Sequence, residues 1–144
     1  MNVFGMAGHL IRRLNQVSTQ VFMHRMQAEG HELTPVQFAA LYAIRANPGL
    51  DQASVAARIA YDKATIGGVI DRLEQKRYVV RSVSKSDRRA REVRLTSDGE
   101  KTYDAILPIV RDLQAEILSG LTPEEQEQFM MLATKAIRAD GASE

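Results

Sequence analysis

The 144-residue sequence contains no cysteine. This absence excludes disulfide bonds, thiolate metal sites and thiol-based redox sensing. No uninterrupted apolar run approaches the ~18 residues that a membrane-spanning helix requires. At the N-terminus the arginines follow a short apolar stretch, which reverses the order found in a secretory signal peptide. We therefore expect a cytoplasmic protein that is not associated with a membrane.

Sequence signatures of common catalytic sites are also missing. The chain has no phosphate-binding loop, no nucleophile elbow and no zinc-binding motif. Its carboxylates concentrate at predicted helix starts, where helix capping accounts for them. The three histidines are too scattered to indicate a metal site, although His24, His31 and Glu32 leave one weak alternative. We therefore expect no enzymatic activity, no cofactor and no metal.

Positive charge is concentrated in one segment of the chain. The formal net charge is only +1, yet residues 58–94 carry eleven Lys or Arg against five Asp or Glu, a net +6. The remainder carries eight basic and thirteen acidic residues, a net −5. Such a separation indicates one part that faces a polyanion and another that does not. The alternative is a solvated surface with a local bias.

The first half of the chain shows helical spacing of its apolar residues. This spacing predicts a long helix over residues 7–29. A second helix is predicted to begin at residues 34–37, where Thr-Pro-Val-Gln supplies an N-cap, a leading proline and a capping-box partner, and to end at residues 47–49. We expect its apolar face to contain Phe38, Leu41 and, as a weaker candidate, Tyr42.

The middle of the chain predicts two further helices and a hairpin. Asp51 can cap a short third helix anchored by Val55 and Ile59, and Asp62 can cap a fourth. The fourth helix has apolar residues at positions i, i+3, i+4 and i+7, namely Ile66, Val69, Ile70 and Leu73. The β-branched segments YVVRSVSKS and REVRL follow, separated by SDRRA, and they predict a two-stranded hairpin with a basic loop.

Two more helices complete the predicted order. One begins at Ser97 with Glu100 as its capping partner, and its apolar stripe comprises Tyr103, Ile106, Leu107, Val110, Leu113 and Ile117. The last begins at Thr122-Pro123 with Glu125 as the capping-box partner. We therefore predict a mainly α fold with a small β-hairpin, a winged helix-turn-helix flanked by long helices at both ends.

A winged helix-turn-helix places its second helix in the major groove of DNA and lets its hairpin contact the DNA beside it. The predicted DNA-binding residues on the fourth helix are those pointing away from its apolar face: Lys63, Ala64, Thr65, Gly67, Gly68 and Arg72. In the hairpin they are Lys85, Asp87, Arg88, Arg89 and Arg91. We interpret Asp87 as an orienting partner for Arg89; the alternative is a solvated charged turn.

Gly67 and Gly68 are unusual in the middle of a predicted helix, because each costs about 1 kcal/mol relative to alanine. One interpretation is that the helix ends at Ile66. A second is that the missing side chains let the helix backbone approach DNA closely. A third is close packing against a neighbouring helix.

Two stretches of the sequence resemble a known family. These are LTPVQFAALYAI and DKATIGGVIDRLEQKRYVVRSVSKSDRRAREVRLTSDG, and they are similar to the MarR family of bacterial transcription regulators. The most specific part is DRRAREVRLT, which resembles the family's wing signature through Asp87, Arg89, Leu95 and Thr96. The resemblance covers essentially the whole chain, including the long flanking helices.

The resemblance implies a homodimer on a pseudo-palindromic operator of double-stranded DNA. Residues 1–33 would form the N-terminal dimerisation helix, residues 34–96 the winged helix-turn-helix domain and residues 97–144 the C-terminal dimerisation helices. A two-fold dimer of this type requires half-sites about 34–36 Å apart. The extra apolar stripes of the flanking helices also call for a partner that covers them.

The resemblance further implies a repressor released by a small effector, often a phenolic or aromatic carboxylate, between the dimer helices and the winged domain. Candidate carboxylate contacts are His9, Arg12, Arg13 and Gln16, and candidate aromatic walls are Phe38 and Tyr42. The alternatives are surface or intersubunit charges and core aromatics. Family members that sense peroxide need a reactive cysteine, so that mechanism is excluded.

The sequence is compatible with two regulated pathways and with two rival functions. The Gly-Gly-Val of the fourth helix resembles that of family members governing aromatic-acid catabolism; control of stress response or efflux is the other possibility. Two rival functions are a ligand-independent architectural DNA-binding protein and a dimeric interaction module without DNA binding. A polar, enclosed cavity at the junction of dimer helices and wing would distinguish the regulator from the architectural protein.

Overall fold

The structure, a computed structural model, describes residues 2–59 and 63–138, with the side chains of residues 63 and 64 excepted. A 3-10 turn at Val3–Gly5 precedes the helices α1 Ala7–Ala28, α2 Pro35–Ala46, α3 Gln52–Arg58, α4 Lys63–Gln75, α5 Ser97–Ile117 and α6 Pro123–Arg138. The strands are β1 Leu50–Asp51, β2 Val79–Val83 and β3 Arg91–Leu95. The predicted mainly helical fold with a small hairpin is therefore confirmed.

Helix starts fixed by local chemistry lie where the sequence predicts them. At α2, the Thr34 hydroxyl accepts the Gln37 N–H at 3.2 Å, and the Gln37 side-chain oxygen accepts the Thr34 N–H at 3.2 Å. The same reciprocal pair joins Thr122 and Glu125 at the start of α6, at 2.9 and 3.2 Å. Asp51 caps α3 by accepting the Ser54 N–H at 2.7 Å. The predicted cap Asp62 lies outside the described residues.

The predicted start of α5 at Ser97 is confirmed, but the predicted capping pair of Ser97 and Glu100 is wrong. Thr96, not Ser97, is the N-cap, and its hydroxyl accepts the Gly99 N–H at 3.0 Å. The same hydroxyl donates to the Arg77 carbonyl at 2.6 Å. Thr96 is held at this position because it directly follows β3 and contacts the chain that links α4 to β2. Ser97 is consequently the first helical residue.

The strands form one antiparallel sheet in the order β1-β3-β2. The predicted hairpin is β2 and β3, with Val79 opposite Leu95 and Val83 opposite Arg91. β1 was not predicted, because two residues become a strand only through pairing, here Leu50 with Val93. The sheet therefore attaches the start of α3 to the wing.

We call α2, α3, α4 and the hairpin of β2 and β3 the winged unit. The hydrophobic core lies between this unit and the adjoining parts of α1 and α5. The predicted inward face of α4 is confirmed, because Ile66, Val69, Ile70 and Leu73 are all buried. Phe38 packs at the edge of this core, whereas Tyr42 is 59% exposed and does not belong to it. None of the described helices has both the length and the apolar character needed to cross a membrane.

Candidate nucleic-acid interface

The recognition helix α4 runs without interruption through both glycines. The interpretation that the helix ends at Ile66 is therefore wrong. Opposite its buried face, Thr65, Gly68 and Arg72 are exposed, and Gly67 is half-buried. The side chains of Lys63 and Ala64 lie outside the described part of the chain.

The space beside the two glycines is open. A Cβ atom added at Gly67 or at Gly68 would meet no other atom within 4 Å in the described part of the chain. Packing against a neighbouring helix of the same protomer is thus not the reason for the glycines. Close approach of a DNA backbone or base edge stays a prediction, and the open helix surface is compatible with it.

The wing loop has an internal scaffold that the sequence did not reveal. Ser84 is buried, and its hydroxyl accepts the N–H groups of Ser86 and Asp87, each at 3.3 Å. Its own N–H donates to the Ala90 carbonyl at 3.0 Å. From the sequence alone, a serine in a polar loop would be predicted to be solvated. The hydrogen bonds by which Ser84 holds the loop together are visible only in the structure.

Asp87 shapes the loop mainly through the backbone. Its carboxylate accepts the Arg89 N–H at 3.0 Å, which is the Asx-turn geometry that short acidic side chains favour. The Arg89 guanidinium is 3.9 Å from the same carboxylate and its side chain is 97% exposed. The predicted orientation of Arg89 by Asp87 therefore acts on the main chain, while the guanidinium extends into solvent.

The basic residues of the hairpin differ in how they are paired. Arg81, Arg89 and Arg94 lie within 4 Å of carboxylates. For the predicted DNA contacts Arg72, Lys85, Arg88 and Arg91, no carboxylate of the described residues lies within that distance. Lys85, Arg88 and Arg91 of the wing and Arg72 of α4 consequently present positive charge without a carboxylate partner in the described part of the chain, as a polyanion partner requires.

The predicted effector residues form two separate groups in one protomer. His9 contacts Phe4 edge-to-face at 5.1 Å, and the Arg13 guanidinium donates to the Gln16 side chain at 2.6 Å. Arg12 is exposed. α1 reaches the aromatic residues of α2 only through its later part, so the structure does not bring the two groups together.

The aromatic group is itself closely packed. Phe38 lies 6.3 Å from Phe22 of α1 and stacks on Tyr103 of α5 at 5.4 Å with an angle of 3°. The Arg45 guanidinium lies over the Tyr103 ring at 4.6 Å from its centroid. Burial raises the pKa of the Tyr103 phenol above its ordinary value. Phe38 is thus a packed residue, whereas Tyr42 remains exposed.

A groove of about 890 Å³ lies between α1, α5 and α6. Its lining includes Leu14, Ile117, Leu118, Phe129 and Met130. None of the six predicted effector residues contributes to it. Its position between the terminal helices differs from the expected junction of dimer helices and wing.

The fold and this basic surface define a winged helix-turn-helix DNA-binding protein. A sequence model described as the MarR family matches residues 31–90. Transcriptional regulator HosA from Escherichia coli O111:H- is 35% identical over 133 residues, which cover 92% of this chain and 96% of HosA. The chain belongs to the MarR family of transcription regulators, as the wing signature predicted.

Two solved structures with the same fold add functional context. BpsR from Bordetella bronchiseptica, whose DNA binding is regulated by 6-hydroxynicotinic acid, has a TM-score of 0.84 and 29% identity, covering 94% of this chain and 96% of BpsR. The transcriptional repressor CouR bound to a 23-mer DNA duplex has a TM-score of 0.78 and 27% identity, covering 94% of this chain and 99% of CouR.

Substitution of Gly67 tests the open surface of α4. We expect Gly67→Ala to raise the free energy of unfolding by roughly 0.5–1 kcal/mol, because alanine favours the helix and meets no neighbour. DNA affinity should fall by at least about tenfold, or ~1.4 kcal/mol, and further in Gly67→Val. Thermal unfolding and fluorescence anisotropy measure the two effects. A stabilised variant with unchanged affinity would contradict close approach to DNA.

Proposed function

We propose that the protein is a ligand-responsive transcriptional repressor that binds a pseudo-palindromic operator as a homodimer. A small aromatic or phenolic carboxylate releases it from DNA. The single observation that carries the proposal is the open, glycine-bearing face of α4 together with a wing on which Lys85, Arg88 and Arg91 have no carboxylate of the described residues within 4 Å. The regulated genes belong to aromatic-acid catabolism or to a stress or efflux response, and the protein acts in the cytoplasm.

DNA binding is assigned to residues 34–96. Thr65, Gly68 and Arg72 lie opposite the buried face of α4, so they can enter a major groove without disturbing the core. The wing loop places the Arg89 side chain in solvent, where a minor groove can receive it. The DNA-bound repressor CouR, which has the same fold, supports this assignment.

Dimerisation is assigned to residues 1–33 and 97–144. The helices α1 and α6 expose apolar side chains that a soluble monomer would normally cover: Leu10, Ile11, Leu14, Met130, Met131, Leu132 and Ile137. Of these side chains, Leu14 and Met130 line the groove between α1, α5 and α6. Two-fold pairing of two copies would cover both helices with the same surface.

The effector site is assigned to the two groups of predicted residues acting across the dimer. On α1, the residue that packs on Phe38 is Phe22. His9 lies thirteen residues before Phe22 on the same helix, which places it about 20 Å from Phe22 at 1.5 Å per residue. One copy alone therefore cannot join His9 to Phe38 around a small molecule. BpsR supports an aromatic acid, since 6-hydroxynicotinic acid combines a hydroxylated ring with a carboxylate.

A thermal-shift screen of hydroxylated aromatic acids tests the proposal. DNA is first obtained by letting the wild-type protein select duplexes from a random pool. An effector at one hundred times its Kd should raise the free energy of unfolding by ~2.7 kcal/mol, because it binds only the folded protein. The same acid should release the selected duplex. Cyclohexanecarboxylate, which lacks the aromatic ring, is the control compound.

The possible outcomes separate the competing functions. Failure to select any duplex would contradict DNA binding and favour a protein-interaction module. Selection of a duplex that no acid releases would favour the architectural DNA-binding protein. Stabilisation by an acid without DNA release would show a ligand site that does not control the operator.

A further inference from the structure

Arg81 occupies an unexpected position in the wing. It lies in β2 directly opposite Val93, and residues opposite each other in antiparallel strands share one face of the sheet. Val93 is fully buried, so Arg81 points to the core side, where an apolar residue would be usual. Its side chain is only 23% exposed. A cation at this place requires partners.

The partners of Arg81 come from both helices of the helix-turn-helix. Its guanidinium contacts Asp71 at 2.5 Å and Glu74 at 2.9 Å, two carboxylates one turn apart on α4. It also donates to the Gln52 side-chain oxygen at 2.8 Å on α3. The hydrogen bond from Arg81 lowers the pKa of Glu74, so this carboxylate stays charged in the contact. Arg81 thus joins β2, α3 and α4 through one planar group.

The contact fixes the orientation of the Gln52 amide. A guanidinium has no acceptor, so the atom facing it must be the amide oxygen and the NH₂ group must point elsewhere. Among the described residues, the Gln52 side chain makes no other hydrogen bond. Two donors are therefore held in place without an acceptor in this part of the chain.

Gln52 borders a small cleft between α3 and the wing. The cleft has a volume of about 270 Å³, and Arg89 and Arg91 border it from the wing side. Its two carboxylates, Asp51 and Asp87, each accept a backbone N–H, at 2.7 and 3.0 Å. Because the Arg89 guanidinium extends into solvent, the side-chain donors that remain for an external ligand are the Gln52 amide and the Arg91 guanidinium, a pair suited to an anionic oxygen.

We propose that this cleft receives a phosphate of the DNA backbone, that Gln52 donates to it, and that Arg81 is the positioning residue that aims the Gln52 amide. The first helix of a helix-turn-helix crosses the DNA backbone, which brings α3 to the strand beside the wing. Backbone contacts of this kind set the register of the protein on the duplex without reading the sequence. The inference rests on the proposed DNA-binding function.

Gln52→Glu is the most selective test of the contact. Glutamate keeps an oxygen for Arg81 but replaces the NH₂ donors with negative charge. We expect the Kd for the duplex selected by the wild-type protein to rise at least about tenfold, with no loss of thermal stability. Gln27→Glu, which adds the same charge at an exposed position of α1, should change the Kd less than about twofold. Unchanged affinity in Gln52→Glu overturns the contact.

Gln52→Ala separates a neutral donor from a cation. Its Kd should also rise about tenfold, while the slope of log Kd against log salt stays that of the wild type, because no charge is lost. A changed slope would mean that the variant disturbs the arginines of the wing instead, which contradicts a direct role for Gln52. A wild-type protein that selects no duplex would refute the proposed function itself. Failure of the proposed function is therefore distinguishable from failure of the Gln52 contact alone.

The positioning role of Arg81 is tested by a double-mutant cycle of Arg81 and Gln52, with DNA affinity as the measured quantity. The cycle must not leave unpaired negative charge beside the DNA. Removing Arg81 alone would leave Asp71 and Glu74 unpaired beside DNA, so the cycle uses the Asp71→Asn, Glu74→Gln background. In that background Arg81→Ala should weaken binding, and its effect should shrink at least about threefold when Gln52 is already alanine. Independent, additive effects of the two substitutions would contradict positioning of Gln52 by Arg81.

Discussion

Replacement of Gly99 by alanine is expected to lower the free energy of unfolding by about 3 kcal/mol or more, because the new methyl group has no room. An added Cβ would lie 2.0 Å from the carbonyl oxygen of Tyr78 and 3.2 Å from a methyl carbon of Leu95. The first neighbour is backbone, which cannot rotate away as a flexible side chain can. Chemical denaturation followed by circular dichroism, at one fixed protein concentration, measures the loss.

The surroundings of Gly99 explain why the clash cannot be relieved cheaply. The Tyr78 carbonyl accepts the Thr96 N–H at 3.0 Å, and Thr96 also caps α5. Moving the carbonyl therefore breaks the connection between the end of the wing and the start of α5. We expect the surviving folded fraction of Gly99→Ala to bind DNA poorly, since α5 would be displaced from the winged unit.

Gly68→Ala is the matched control for this substitution. Gly68 is also helical, but an added Cβ meets no atom of the described chain within 4 Å. Its unfolding free energy should rise by roughly 0.5–1 kcal/mol through helix propensity alone. Equal unfolding midpoints for Gly99→Ala and the wild type would refute the contact between α5 and the chain at Tyr78.

Local chemistry accounts for the parts of the fold that the sequence predicts well. The capping boxes at Thr34 and Thr122 involve residues three positions apart, so the same pattern that predicts them also makes the hydrogen bonds. The inward face of α4 follows from helical periodicity. By contrast, β1 forms only by pairing with β3, where Leu50 lies opposite Val93, and the Thr96 hydroxyl is also held by the distant Arg77 carbonyl. No local pattern contains those partners.

In the candidate site, too, local features of the sequence are predicted well, whereas contacts between distant residues are not. Charge density predicts a basic wing, but it cannot tell which arginines are paired within the fold. Arg81 counts among the basic residues of the hairpin, yet the structure joins it to Asp71 and Glu74. The effector residues are harder still, since helical periodicity places His9 and Phe38 on helices without saying whether one protomer or two bring them together.

Among the wing residues, Arg89 should have the largest effect on operator binding. An arginine contact to DNA is worth about 1–3 kcal/mol, and the proposed dimer has two copies, so Arg89→Ala should weaken binding at least about thirtyfold. Alanine keeps the N–H that Asp87 accepts, so the loop itself should persist. The side chain is 97% exposed, and thermal stability should stay within about 0.5 kcal/mol of the wild type.

Two companion variants identify what Arg89 does on DNA. Lys101→Ala removes one exposed positive charge from α5 and should leave operator affinity almost unchanged, which controls for net charge. Arg89→Lys keeps the positive charge but loses the planar guanidinium. Compared with Arg89→Ala, it should therefore recover the wild-type salt dependence of operator affinity but only part of the affinity itself. Full recovery by lysine would reduce Arg89 to a phosphate contact. Wild-type affinity in Arg89→Ala would contradict the predicted contact between the wing and DNA.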